Sequence, residues 1–138
     1  MRRLRVAVLG DLHLRRVVLV ACILVVACGG DAGDEASDRA KLEAMKQEII
    51  ALVGEPTCND SADCRSIAFG AKPCGGPWEY LIYSSISVDN AVLIPKIAAY
   101  NDFNADLNAQ YRWISDCSVA LPPTLGCQGG MCVGSAAP

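Results

Sequence analysis

Cys58-Asn59-Asp60-Ser61-Ala62-Asp63-Cys64-Arg65-Ser66-Ile67-Ala68-Phe69 is the stretch on which the fold turns. Two cysteines enclose a run of polar and small residues, which reads as a loop. After the second cysteine the pattern changes. Arg65, Ile67 and Phe69 fall on one side of an extended chain and Ser66 and Ala68 on the other, the alternation of a β-strand. Ala71-Lys72-Pro73-Cys74-Gly75-Gly76-Pro77 then holds two prolines and two glycines in seven positions, too many for regular structure. From Trp78 to Ile86 aromatic and β-branched residues return, so an antiparallel hairpin is expected across the turn.

Working outward toward the N-terminus, Leu42, Met45, Ile49 and Leu52 recur at spacings of 3, 4 and 3. That is the apolar stripe of a helix, and it predicts one running to about Val53 that packs on its own domain. Asp34 or Ser37 caps its start, and Gly54 and Pro56 stop it. Toward the C-terminus, Asp89 or Asn90 starts a second helix. Leu93, Ile97, Tyr100, Leu107, Tyr111 and Ile114 give it one apolar face as far as Cys117. Pro95 belongs either in the first turn or at a kinked entry. After Pro122-Pro123, Gly126 to Val133 reads as a small hairpin about Gly129-Gly130, with Cys127 opposite Cys132. The sequence leaves open whether those two bridge each other or both pin the hairpin to the region of Cys58 and Cys64. The expected fold class is α+β: a small disulfide-stapled domain of two helices with a short antiparallel sheet.

The N-terminal stretch is of another kind. Arg15 and Arg16 precede eleven mostly apolar residues, Val17 to Ala27, which as a helix reach only about 16 Å against the ~30 Å of a bilayer core. A basic flank, a short apolar core and a small residue before a cut make a secretory signal. Leu24-Val25-Val26-Ala27-Cys28 resembles the lipobox of bacterial lipoproteins. The resemblance implies cleavage before Cys28, lipidation of Cys28, and attachment to a membrane through the lipid anchor. It places the protein in the cell envelope. Gly29 after the cysteine matches enterobacterial lipoproteins of the outer membrane, facing the periplasm or the cell surface. Leu19-Val20-Ala21-Cys22 also fits the pattern but leaves an apolar core of only Val17 to Ala21. The expected organisation is therefore a signal over 1–27, a lipidated tether over 28–37 and a six-cysteine domain over 38–138. Val6-Ala7-Val8-Leu9-Gly10-Asp11-Leu12-His13 resembles the opening strand of metallophosphoesterases, but none of that family's further metal-binding motifs follows.

Without residues 1–27 the chain keeps seven of its twelve basic residues and fourteen of its fifteen acids, a formal net charge of −7. Such a surface repels phosphate backbones and argues against a nucleic-acid partner. Of the eight cysteines, Cys22 leaves with the signal and Cys28 takes the lipid. Cys58, Cys64, Cys74, Cys117, Cys127 and Cys132 remain, an even number that predicts three disulfides in an exported domain. A zinc site at Cys127 and Cys132 lacks a histidine, because His13, the only one in the chain, lies in the signal. The same absence excludes Ser-His-Asp and Cys-His catalysis. No metal, cofactor or catalytic residue is expected.

Lys72-Pro73-Cys74-Gly75-Gly76-Pro77-Trp78 is the candidate partner loop. Pro73 and Pro77 stiffen it, Gly75 and Gly76 permit close backbone approach, and Trp78 is a favoured anchor. Cys58-x5-Cys64, Pro73-Cys74-Gly75-Gly76-Pro77 and Cys127-x4-Cys132 resemble small six-cysteine lipoproteins of Gram-negative bacteria, a group without an assigned activity. The expected function is a non-enzymatic, membrane-anchored envelope lipoprotein that binds a protein or envelope component. A disulfide-rich protease inhibitor and a carboxylate-based enzyme without histidine are the alternatives.

Overall fold

Residues 33–136 are described by the computed structural model of the chain, and within them local signals set the element boundaries. The expected signal and Cys28 lie outside the described residues. Helix α1 covers Glu35–Val53. Of the two expected caps Asp34 serves, its carboxylate accepting from Ala36 N at 3.0 Å. Residues 35–37, expected in the tether, are therefore helical, which moves the start of the domain toward Cys28. At the other end Gly54 takes φ 54° and donates its N–H to Ile50 O, as a helix-ending glycine does.

Strands β1 (Cys64–Phe69) and β2 (Glu79–Ser84) form the expected antiparallel hairpin, with Cys64 opposite Ser84 and Phe69 opposite Glu79. The loop between Cys58 and Cys64 is ordered by its own acids. Asp60 accepts from Ala62 N at 2.6 Å, and Asp63 accepts from Asn59 N at 2.8 Å, capping a short 3-10 turn at Ser61–Asp63. Helix α2 covers Asn90–Tyr111, with Asp89 accepting from Ala91 N at 2.8 Å. Pro95 does not sit in the first turn. It lies inside the helix with its ring exposed to solvent, past the turn in which helical N–H groups have no partner. The helix also ends early: Arg112 turns left-handed, so Trp113 and Ile114 leave the helical face expected to carry on to Cys117.

Strands β3 (Thr124–Gln128) and β4 (Met131–Ser135) pair about Gly129 and Gly130, both at positive φ. Cys127 faces Cys132 across this hairpin, yet the two do not bridge each other. Cys127 reaches Cys58 and Cys132 reaches Cys64, while Cys74 pairs with Cys117. Residues 56–58 run alongside β4, with Cys132 N donating to Pro56 O at 2.8 Å and Cys58 N to Gly130 O at 2.9 Å.

The β1–β2 hairpin has two occupied faces. On one, Phe69 and Tyr83 are buried with Ile49 and Val53 of α1 and Leu93, Ile97 and Tyr100 of α2, Phe69 stacking on Tyr100 at 4.5 Å. On the other, Cys64 and Ile82 meet Cys58, Cys132 and Leu125. This second face is tight enough that a Cβ on Gly134 would lie 2.5 Å from Ile82 Cδ1 and 3.0 Å from Pro123 Cβ.

Candidate functional site

Three asparagines on one side of α2 hold the chain that leaves β1. Asn101 Oδ1 accepts from Gly70 N at 2.7 Å and its Nδ2 donates to Ala68 O at 3.1 Å. Asn104 Oδ1 accepts from Ala71 N at 2.9 Å, and Asn108 Nδ2 donates to Ala71 O at 2.8 Å. Asn104 and Asn108 are buried, and with Asn101 they satisfy backbone groups at the end of β1 and just beyond it. Asn108 Oδ1 is enclosed and finds no partner. Gly70 takes φ 75° directly beneath Trp78, where a Cβ would sit 2.6 Å from Trp78 Cδ1. The indole is thereby seated against bare backbone, and 45% of the residue remains exposed.

The turn from Lys72 to Pro77 is closed by Lys72 N donating to Gly76 O at 2.8 Å and Gly75 N donating to Lys72 O at 2.9 Å. Lys72 itself is not presented to a partner, in contrast to its expected place in the loop. It is 8% exposed, and its Nζ donates to Asp116 Oδ1 at 3.0 Å and to Ser118 O and Oγ at 2.8 Å. The cation holds Asp116 below the ordinary carboxylate range, with Ser118 adding a second hydrogen bond. Cys74 to Cys117 ties the same two segments covalently. Gly75 and Gly76 lie at the exposed tip and Pro73 and Pro77 are half-buried. The loop is a bracket: it fixes the segment after α2 against Trp78.

That segment begins with a strained residue. Arg112, at φ 52° and ψ 43°, is the one non-glycine in the left-handed region among the described residues. A side chain there costs about 1–2 kcal/mol, and helices ending this way usually carry glycine. Trp113 follows, held by Tyr111, Arg39 and Glu35. Its ring stacks on Tyr111 at 5.9 Å, Arg39 lies over it at 3.8 Å, and its Nε1 donates to Glu35 at 2.8 Å. Arg39 also bonds Glu35, and these two donors keep the Glu35 carboxyl below its ordinary range. Tyr111 donates to Asp38 at 2.7 Å; that bond to a carboxylate is the main reason its phenol is pushed up to about 12.

Between these pieces lies a cleft of about 610 Å³. Trp78, Trp113, Leu42 and Tyr100 supply its apolar walls, and Asn104, Asn108, Arg39 and Arg112 its polar ones. Ile114 stands at the rim, 92% exposed. Both tryptophans of the chain are here. A volume in this range suits a ligand or a few side chains of a partner, and Trp, Tyr and Arg are the residues that dominate binding energy at interfaces. The groups that line the cleft are indole, phenol, guanidinium, amide and aliphatic, a set suited to binding. The sulfurs of Cys58, Cys64 and Cys132 lie within 4.8 Å of one another, but all three are consumed in disulfides and offer no thiolate.

Of the expected loop, Trp78 alone reaches the cleft; the rest positions it. The other walls combine α1, α2 and the segment after it, residues far apart in sequence. Asn101, Asn104 and Asn108 did carry a signal, because they extend the helix's buried line from Ile97 at spacings of 4, 3 and 4. Compared with protein-family models, curated proteins and solved structures, the chain matches none. No helix among the described residues is long and apolar enough to cross a membrane.

Proposed function

We propose that the chain is a membrane-anchored lipoprotein of the cell envelope, carried by lipid on Cys28, whose domain binds a partner protein or envelope component through the cleft between α1 and the end of α2. The observation that carries the binding half is the gathering of both tryptophans and Arg112 around one open cleft, with a strained backbone holding the arginine there. Strain of that kind persists where surrounding structure enforces it, and it clusters at sites of use. The anchoring half rests on Leu24-Val25-Val26-Ala27-Cys28 and the basic flank before it. Three disulfides agree with an oxidising compartment.

The role is non-enzymatic. The domain after the signal has no histidine, and its cleft carries guanidinium, amide and indole groups rather than an acid–base pair. A protease-inhibitor role is less favoured, because a bait bond at Lys72-Pro73 needs an exposed lysine and this one is buried. Replacing Cys28 tests the anchor. Cys28→Ser is expected to leave the precursor unprocessed and release the protein from acyl-dependent membrane binding, while Cys22→Ser changes neither. A Cys28→Ser protein that still pellets with membranes at the mature mass contradicts the lipid anchor.

A further inference from the structure

We infer that the cleft takes a peptide segment in which a single carboxylate sits beside an apolar side chain, the carboxylate engaging Arg112 and the apolar group packing against Trp78 and Leu42. This rests on the binding role of the cleft and not on the anchor at Cys28.

The charge comes first. Six of the seven basic residues after the signal are occupied within the domain. Arg39 bonds Glu35, Lys46 pairs with Glu79, Lys72 with Asp116 and Lys96 with Glu48. Lys41 lies over Phe103, and Arg65 donates to the carbonyls of Ala62 and Cys64. Among the described residues only Arg112 has a basic side chain with no such partner, although acids outnumber cations two to one in this part of the chain. It also occupies a backbone position where glycine is the less strained residue. An arginine kept at such a position and left unpaired in so acidic a domain is accounted for by a partner from outside. Guanidinium presents a planar fork that matches a carboxylate bidentately.

The extent of the surface favours a chain over a small molecule. From the rim of the cleft the extended segment continues through Ile114, Val119 and Leu121, which are 92%, 80% and 63% exposed. Exposed apolar side chains in the chain that leaves the cleft suit a partner that is itself a chain. The net charge of −7 argues for one carboxylate rather than an acidic run, since each further acid meets the repulsion of the whole domain.

Tryptophan emission reads the site directly, because the only two tryptophans line it. The purified protein is titrated with the pentapeptide Ac-Gly-Leu-Glu-Leu-Gly-NH2, its Gln twin and digalacturonate. The Glu peptide is expected to give a saturable change and the Gln twin to bind at least about tenfold more weakly. Arg112→Gly, which folds without strain, is expected to abolish that tenfold gap, and Arg112→Lys to restore it in part. Equal binding of the Glu and Gln peptides, an unchanged gap in Arg112→Gly, or silence with all three probes overturns the inference. Binding of digalacturonate alone overturns the peptide while keeping the cleft as a binding site.

Discussion

The two faces of the β1–β2 hairpin are built to opposite specifications. On the β3–β4 side, two disulfides with sequence separations of 69 and 68 cross a small cluster of sulfur and aliphatic carbon, and the approach is so close that a side chain on Gly134 would have to displace Ile82 and press on Pro123. On the helical side the packing is good near Phe69 and Tyr100 but opens toward the end of α2 into a cleft with half-exposed Trp78, exposed Ile114 and unpaired Arg112. A domain of roughly a hundred residues has only about 5–15 kcal/mol of net stability. Concentrating covalent constraint on one face leaves the other able to keep strain and exposed apolar surface. The staple at the cleft, Cys74 to Cys117, does different work: it positions rather than founds the fold.

Breaking that contrast gives the largest effects. Removing both Cys58–Cys127 and Cys64–Cys132 by alanine substitution takes away about 2–4 kcal/mol per bridge, enough in sum to unfold the domain. Circular dichroism is expected to show loss of the helical signal. Removing Cys74–Cys117 alone is expected to leave the far-ultraviolet spectrum intact and to change tryptophan emission, since both indoles border the segments it joins. Equal unfolding by the two changes contradicts the division of labour.

Steric and polar substitutions come next. Gly134→Val is expected to cost about 1–3 kcal/mol in denaturant unfolding, because Ile82 can turn aside but the Pro123 ring cannot. Asn104→Ala leaves the half-buried Ala71 N–H without its acceptor, a loss of about 1–3 kcal/mol. Asn104→Ala is expected to shift tryptophan emission as well, whereas Gly134→Val is not. A shift from Gly134→Val alone reverses the comparison.

The asparagines of α2 also mark where the sequence is only partly legible: their spacing places them on the buried line but does not show what they bond. The caps Asp34 and Asp89, the stop at Gly54, the alternation of 65–69 and the Gly129-Gly130 turn all act on their neighbours, so the helices and hairpins could be read directly. The end of α2 could not, because arginine is not a stop signal and the apolar spacing runs on to Ile114. Burial of Asn104 and Asn108 depends on a backbone segment more than thirty residues earlier, and polar residues on an apolar face read as interruptions. Disulfide connectivity was equally hidden: Cys127 and Cys132 face each other and bond elsewhere. Trp78 is legible as a candidate anchor, but its partners in the cleft come from three other stretches of chain: α1, α2 and the segment after it.

Acid separates the two faces by a smaller effect. Glu35 and Asp116 are held below the ordinary range by cations, so their contribution is present above about pH 4 and is lost as pH falls through their lowered values. Each acts beside the cleft, Glu35 on Trp113 and Asp116 on Lys72. Tyr111 works in the opposite direction: its raised value, about 12, means that its tie to Asp38 is kept below about pH 10 and lost as pH climbs toward 12. Emission is therefore expected to change at both extremes while the four disulfide-bonded cysteines of the other face, which do not titrate, hold their hairpin. The smallest effect is Arg112→Gly, a gain of about 1 kcal/mol in stability from relief of the left-handed strain.

The claim that the cleft is the face of use is tested most directly by nuclear magnetic resonance of the protein labelled with nitrogen-15 while the Glu pentapeptide is added. The account predicts that the Nε1–H signals of Trp78 and Trp113 and the amides of residues 111–115 move together and saturate, with those of Cys58, Cys64, Gly126 and Cys132 unmoved. Shifts confined to the β3–β4 hairpin, with both indole signals still, contradict it.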